Sequence, residues 1–199
     1  MKYIELSQKI NSNIFSLQDL KIQAYQVSSL QLTRWVDKGY LIKLKNGVYL
    51  FTNKKEQTLK EHIAFSIYQP SYISLEWALS LYGMIPEVVY SVTSVTSKAS
   101  RKYENAMGVF TYRHLKNNLF FGYTKINKNG QVYLLAEREK ALLDYIYLNS
   151  YKIKNIDDVE ELRLNSSSLK KINKTKIKKY SKFYPKKNNI EKILKLIIK

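Results

Sequence analysis

The chain has 199 residues, 45% apolar and 13% aromatic, which is ample for a packed core and places it outside the composition of disordered chains. It has no cysteine and only two histidines, His62 and His114, which excludes disulfides, thiolate chemistry and the usual zinc ligand sets; no metal or cofactor is expected. Its formal charge of +18 suits a polyanionic partner, because each phosphate neutralised by Lys or Arg releases counterions.

That charge is uneven. Residues 1–55 hold nine basic and three acidic side chains, residues 56–150 ten and eight, and residues 151–199 fifteen and five. Both ends are basic, and nucleic acid is the natural candidate, although A+T-rich coding would by itself enrich the tail in Lys, Asn, Ile and Tyr. No stretch approaches the roughly 18 apolar residues of a membrane helix, and the first residues lack a signal-peptide core. The expected location is the cytoplasm, with no membrane partner.

In chain order, Ile4, Leu6 and Ile10 have helical spacing, and Ser16 with Asp19 forms a capping box opening a helix over residues 17–25. Ser28 and Ser29 cap a third helix, in which Leu32, Trp35 and Val36 share a buried face and Gly39 is the stop. The other face carries Ser29, Gln31, Thr33, Arg34 and Lys38, which suits base reading better than the Glu/Lys mixture of a solvated helix. The period then changes to two, with strands at 41–45 and 48–52 around Asn46-Gly47, a strong hairpin signal. Three helices and a basic hairpin over residues 1–55 predict a winged helix-turn-helix. Its DNA-binding residues would be Ser28, Ser29, Gln31, Thr33, Arg34 and Lys38 on the recognition helix and Lys43, Lys45 and Asn46 on the wing.

Residues 53–57 form a polar junction, and residues 58–199 read as a second domain with apolar faces of its own. Thr58 with Glu61 is a second capping box, for a helix through Tyr68, and Ser74 caps a helix ended by Gly83 and Pro86. Val- and Thr-rich runs at 90–96, 109–113 and 120–126 are strands, and Asn129-Gly130 turns into another at 131–135. An apolar helix at 137–148 follows. The predicted class is α+β: an N-terminal winged helix-turn-helix, then an α+β domain with a helical tail.

Several strings in this second part resemble one family. Tyr72-Ile73-Ser74-Leu75-Glu76, Ala78-Leu79, Tyr82-Gly83, Ile85-Pro86-Glu87, Thr93-Ser94-Val95-Thr96, Gly108 with Phe110 and Tyr112, Phe121-Gly122, and Ala136 with Glu139-Lys140-Ala141-Leu142-Leu143-Asp144 run in the same order as in AbiEi-type antitoxins of abortive-infection (type IV) toxin–antitoxin systems. The resemblance spans roughly residues 27–150. It implies a winged-helix antitoxin that represses its own operon, at an operator expected to hold inverted repeats, and counteracts a nucleotidyltransferase-like toxin without a stable complex. Some relatives are solitary regulators, and an RNA- or protein-binding module without a toxin partner is the alternative reading.

Enzyme chemistry finds little support. Glu137-Arg138-Glu139-Lys140 follows a strand and superficially matches the metal-binding half of a restriction-type nuclease, but the second carboxylate at a strand end is missing and Asp144 lies on the same helix. Glu137 and Glu139 instead oppose the positive end of a helix dipole. No Gly-Ser turn with paired aspartates, phosphate loop or nucleophile elbow occurs, so no catalytic residue is expected. In the tail, Asp157-Asp158 and Glu160-Glu161 are acidic and Ser166-Ser167-Ser168 marks a joint. Ile177, Tyr180 and Tyr184, then Ile190, Ile193, Leu194 and Ile197, form two amphipathic stripes expected to pack on their own domain.

Overall fold

The computed structural model describes residues 1–153, 156–185 and 190–197. The protein is mixed α+β, with two sheets among the described residues. Helix α1 (Tyr3–Lys9), strand β1 (Ile14–Ser16), helices α2 (Leu17–Ile22) and α3 (Ser29–Asp37) and strands β2 (Leu41–Lys45) and β3 (Val48–Phe51) make up the N-terminal module. Its three-stranded antiparallel sheet has the order β1-β3-β2, with β1 a strand that sequence reasoning missed because three residues show no alternation.

A 3-10 turn, Thr52–Lys54, leads into α4 (Lys60–Ile67), β4 (Ser71–Ile73), α5 (Leu75–Leu81), β5 (Ser91–Thr96), β6 (Arg101–Asn105) and β7 (Gly108–His114). Then come β8 (Tyr123–Lys128), β9 (Gln131–Ala136) and α6 (Arg138–Asn149), followed by α7 (Ile156–Glu160), α8 (Ser166–Leu169), α9 (Lys174–Ser181) and α10 (Ile190–Ile197). The six-stranded sheet has the order β6-β7-β5-β4-β9-β8, with β5 parallel to β7, β4 parallel to β9 and the other pairs antiparallel. Helices cover both faces. Tyr112 donates its hydroxyl to the Ala64 carbonyl of α4 at 2.6 Å, whereas Arg113, next along β7 and so on the opposite face, reaches the Leu148 carbonyl at the end of α6 at 2.8 Å.

The N-terminal part has a small cluster of its own and also contributes to the core of the second part. Phe15, Leu41, Tyr49 and Phe51 face Leu6, Ile10, Leu20, Leu32 and Trp35 in a small cluster, but Ile14, Leu44, Val48 and Leu50 belong to the large core built around the six-stranded sheet. Strand alternation turns every second residue of the small sheet toward the second part, so all four residues of β3 are buried. The junction is tied down as well. Lys54 Nζ donates to the carbonyls of Ile10, Asn11 and Ser12, and Gln131 accepts from Leu59 N–H while donating to the Gln57 carbonyl.

Two expected caps are used otherwise. Thr58 Oγ1 donates to the Lys54 carbonyl at 2.6 Å and accepts from Asn13 Nδ2 at 3.0 Å, and Glu61 accepts from Trp77 Nε1 at 2.9 Å, so no capping box forms. Ser74 stands at the cap of α5 without a capping bond; its hydroxyl goes to Asp144, and Thr93 Oγ1 from β5 accepts the Trp77 N–H instead. The described tail packs as its stripes predict, with Ile177, Tyr184, Ile190, Ile193, Leu194 and Ile197 all in the large core. No helix among the described residues is long and apolar enough to cross a membrane.

Candidate nucleic-acid interface

Helix α3 is set by its own sequence. Ser28 Oγ accepts from Gln31 N–H at 3.2 Å and Gln31 Oε1 accepts from Ser28 N–H at 3.0 Å, a reciprocal box that satisfies two donors at the helix start. At the other end Gly39 takes φ +71°, Tyr40 N–H bonds the Trp35 carbonyl and Gly39 N–H bonds that of Val36, a left-handed stop that a side chain would strain. Leu32 and Trp35 are buried, whereas Ser29, Leu30, Thr33, Arg34, Asp37 and Lys38 are exposed.

The predicted readers divide on this geometry. Arg34 and Lys38 are exposed and carry no ion pair among the described residues. Ser29 is exposed, and Thr33 Oγ1 donates back to the Ser29 carbonyl at 3.1 Å, which leaves its methyl and lone pairs outward. Ser28 is a cap. Gln31 is half-buried and spends both halves of its amide internally, since Nε2 also donates to the Met1 carbonyl at 3.1 Å. Gln31, read from the sequence as a base contact, thus has both ends of its amide engaged within the chain.

The hairpin turns at Asn46-Gly47. Asn46 is exposed, and Gly47 takes φ +79° with the Leu17 side chain 3.3 Å from where a Cβ would stand. Register shifts between Lys43 and Lys45, so the two lysines that simple alternation would pair have different surroundings. Lys43 is exposed. Lys45 is half-buried, and burial, then repulsion from Lys98 of the second part, lowers its pKa below the usual lysine value. Asn105 of β6 donates to the Leu44 carbonyl at 2.9 Å, fastening the hairpin to the edge of the large sheet. Lys98 thus joins the cationic surface of the hairpin, a neighbour that no local pattern reveals because it lies 53 positions from Lys45.

No protein-family model matches the chain, and no curated protein matches it.

Of the segment that superficially resembles a nuclease half-site, Glu139 and Lys140 are buried, while Glu137 and Arg138 are partly exposed. Lys140 and Asp144 are fully buried and form an ion pair one turn apart on α6. Asp144 Oδ2 accepts from Tyr72 at 2.8 Å and Ser74 at 3.0 Å, and its Oδ1 accepts from Tyr184 at 2.8 Å, whose oxygen in turn accepts from Lys140 at 2.8 Å. Burial lowers the Lys140 pKa against the opposing pull of Asp144; burial, then the Asp144 charge, drives the Tyr72 and Tyr184 hydroxyls well above the usual phenol value. Beside this cluster Leu75 holds φ +59°, a costly conformation for leucine, maintained where Thr93 Oγ1 donates to the Ser74 carbonyl at 2.8 Å.

The two glutamates expected at the helix start do more than face its dipole. Glu139 is buried and accepts from Asn173 N–H at 2.8 Å, and Glu137 holds Lys176 at 2.9 Å and the Tyr180 hydroxyl at 2.8 Å. These groups bind α9 to α6. Among the described residues no group of three or more His, Cys, Asp and Glu could hold a metal ion. His62 Nδ1 lies 2.8 Å from the Val132 carbonyl and His114 Nδ1 lies 3.0 Å from that of Lys98.

Proposed function

We propose that the N-terminal module is a winged helix-turn-helix that binds double-stranded operator DNA, α3 entering the major groove and the β2–β3 hairpin serving as the wing, and that the protein is a transcriptional repressor. The observation that carries this reading is α3 itself: its inner side is committed to Leu32 and Trp35, while its outer side presents Arg34, Thr33 and Lys38 beside a hairpin bearing Lys43 and Lys45. A helix offered in this way, with cations flanking it, suits base contacts framed by phosphate contacts. The β1-β3-β2 sheet with three helices on one face supports the same reading.

The second part takes the antitoxin role that the AbiEi resemblance implies, counteracting a nucleotidyltransferase-like toxin without chemistry of its own. In support, its most reactive-looking segment is spent on burial, since Lys140, Asp144 and Glu139 are closed off and paired internally.

A gel-shift titration of the full chain against the DNA upstream of its own gene tests the repressor reading. Retardation at nanomolar protein, falling steeply with salt and competed poorly by single-stranded RNA, is expected. Equal affinity for random duplex or preference for single strands would overturn it. For the antitoxin role, the full chain carrying Arg34→Ala and Lys43→Ala should still relieve growth arrest by a co-encoded toxin when expressed from an independent promoter.

A further inference from the structure

We infer that Leu30 reads the C5-methyl group of a thymine in the major groove, which makes the operator specific for a thymine close to the base pair met by Arg34. The inference rests on the DNA-binding reading above and names a residue that reading does not use. At 3.6 residues per turn, the buried Leu32 and Trp35 fix the inner pole of α3, and Leu30 falls near the opposite pole. It is 59% exposed although apolar. Its neighbours on that face are Ser29, Thr33, Arg34 and Asp37, all exposed and polar, so it does not belong to an apolar patch of the kind that docks a protein.

What lies opposite such a side chain in a major groove is limited. Base edges there present hydrogen-bond donors and acceptors, and the one apolar feature is the thymine methyl. Leucine opposite any other edge would strip water from a polar group without replacing its hydrogen bond. Position along the helix agrees. Asp37 ends the same outward face, where its carboxylate repels phosphates, so Leu30, Thr33 and Arg34, which precede it on that face, are the residues that enter the groove. Arg34 lies one turn beyond Leu30, which puts their contacts within about two base-pair steps of each other.

The test uses the full chain and duplexes it selects from a random pool, with each thymine replaced in turn by deoxyuridine, which keeps base pairing and removes only the methyl. At one or two positions the wild-type chain should lose about fourfold in affinity, the worth of one buried methyl. Leu30→Ala, at a surface position where alanine favours helix, should remain folded and bind thymine and uracil duplexes equally at those positions, with an unchanged salt slope. Leu30→Met should restore the difference. Equal wild-type binding at every position, or an undiminished thymine preference in Leu30→Ala, would overturn the inference while leaving DNA binding intact. Failure of the wild-type chain to bind any duplex in a salt-dependent way would overturn both readings.

Discussion

Tyr184 and Asp144, forty positions apart, meet in the interior, where the tyrosine hydroxyl donates to Oδ1 at 2.8 Å and accepts from Lys140 at the same distance. The tail therefore completes a buried ion pair on α6. Removing one member of such a pair is more costly than removing both, because the partner is left charged and unpaired. Asp144→Ala should destabilise by about 3–5 kcal/mol and Tyr184→Phe by about 1–3 kcal/mol. The double variant Lys140→Met/Asp144→Leu should be closer to wild type than Asp144→Ala alone. Urea denaturation measures all three, and a double variant less stable than Asp144→Ala would contradict the account.

The outer clasp responds to acid. Burial works to raise the Glu137 pKa, but hydrogen bonds from Lys176 and Tyr180, with the Lys176 charge, outweigh it and hold the carboxyl below its ordinary value of 4.5. A depressed carboxylate contributes stability above its unfolded pKa and loses it as pH falls through the folded one. Amide hydrogen exchange in α9 should therefore quicken relative to the core as pH drops below about 4.5, after correction for intrinsic rates. Glu137→Gln should show fast α9 exchange at neutral pH and little further change in acid.

A shared core has a consequence for truncation. Deleting residues 1–57 strips Ile14, Leu44, Val48 and Leu50 from the large core and removes the Gln57 carbonyl that Gln131 bonds. The remaining fragment should melt well below the full chain and bind a dye for exposed apolar surface, whereas the full chain should unfold in one calorimetric transition. An unchanged melting temperature would show that the small sheet is dispensable to the large core.

On α3, stability and recognition separate by residue. Gln31→Ala removes half of the capping box and should cost roughly 1 kcal/mol of stability, with little change in the ratio of operator to random-DNA affinity. Arg34→Ala should leave the melting temperature nearly unchanged and reduce that ratio by about 1–3 kcal/mol. Lys43→Ala should weaken all duplexes alike and lower the salt slope by about one. Competition titrations at several salt concentrations distinguish the three, and loss of discrimination in Gln31→Ala without destabilisation would reverse the assignment.

Gly122 brings the backbone close against the buried lysine. It takes φ +71°, and an added Cβ would stand 3.2 Å from Lys140 Cγ and Cδ and 3.1 Å from Tyr180 Cε2. Gly122→Ala should therefore destabilise by more than the roughly 1 kcal/mol that an unfavourable backbone angle alone costs, measured by thermal unfolding.

Features decided within a few residues were legible in the sequence: the Ser16–Asp19 box, the Ser28 cap, the stop at Gly39, the turns at Asn46-Gly47 and Asn129-Gly130, and the stripes of the tail. Their bonding partners lie within the reach of one helical turn or one hairpin, so residue type and spacing suffice. Elsewhere residue type points to a local partner when a distant one bonds instead. Ser74 and Thr58 look like caps, yet their hydroxyls bond Asp144, seventy positions on, and Asn13, forty-five back. Strands β1, β4 and β6 carry no period-two signal in the sequence, because the first two have three residues each and the third is a charged sheet edge. Only the tertiary structure decided that the small sheet is buried on both faces, that Lys98 joins the hairpin, and that Lys140 is an interior charge, because a sequence states which side chains are apolar or charged but not which surface the chain will later bring against them.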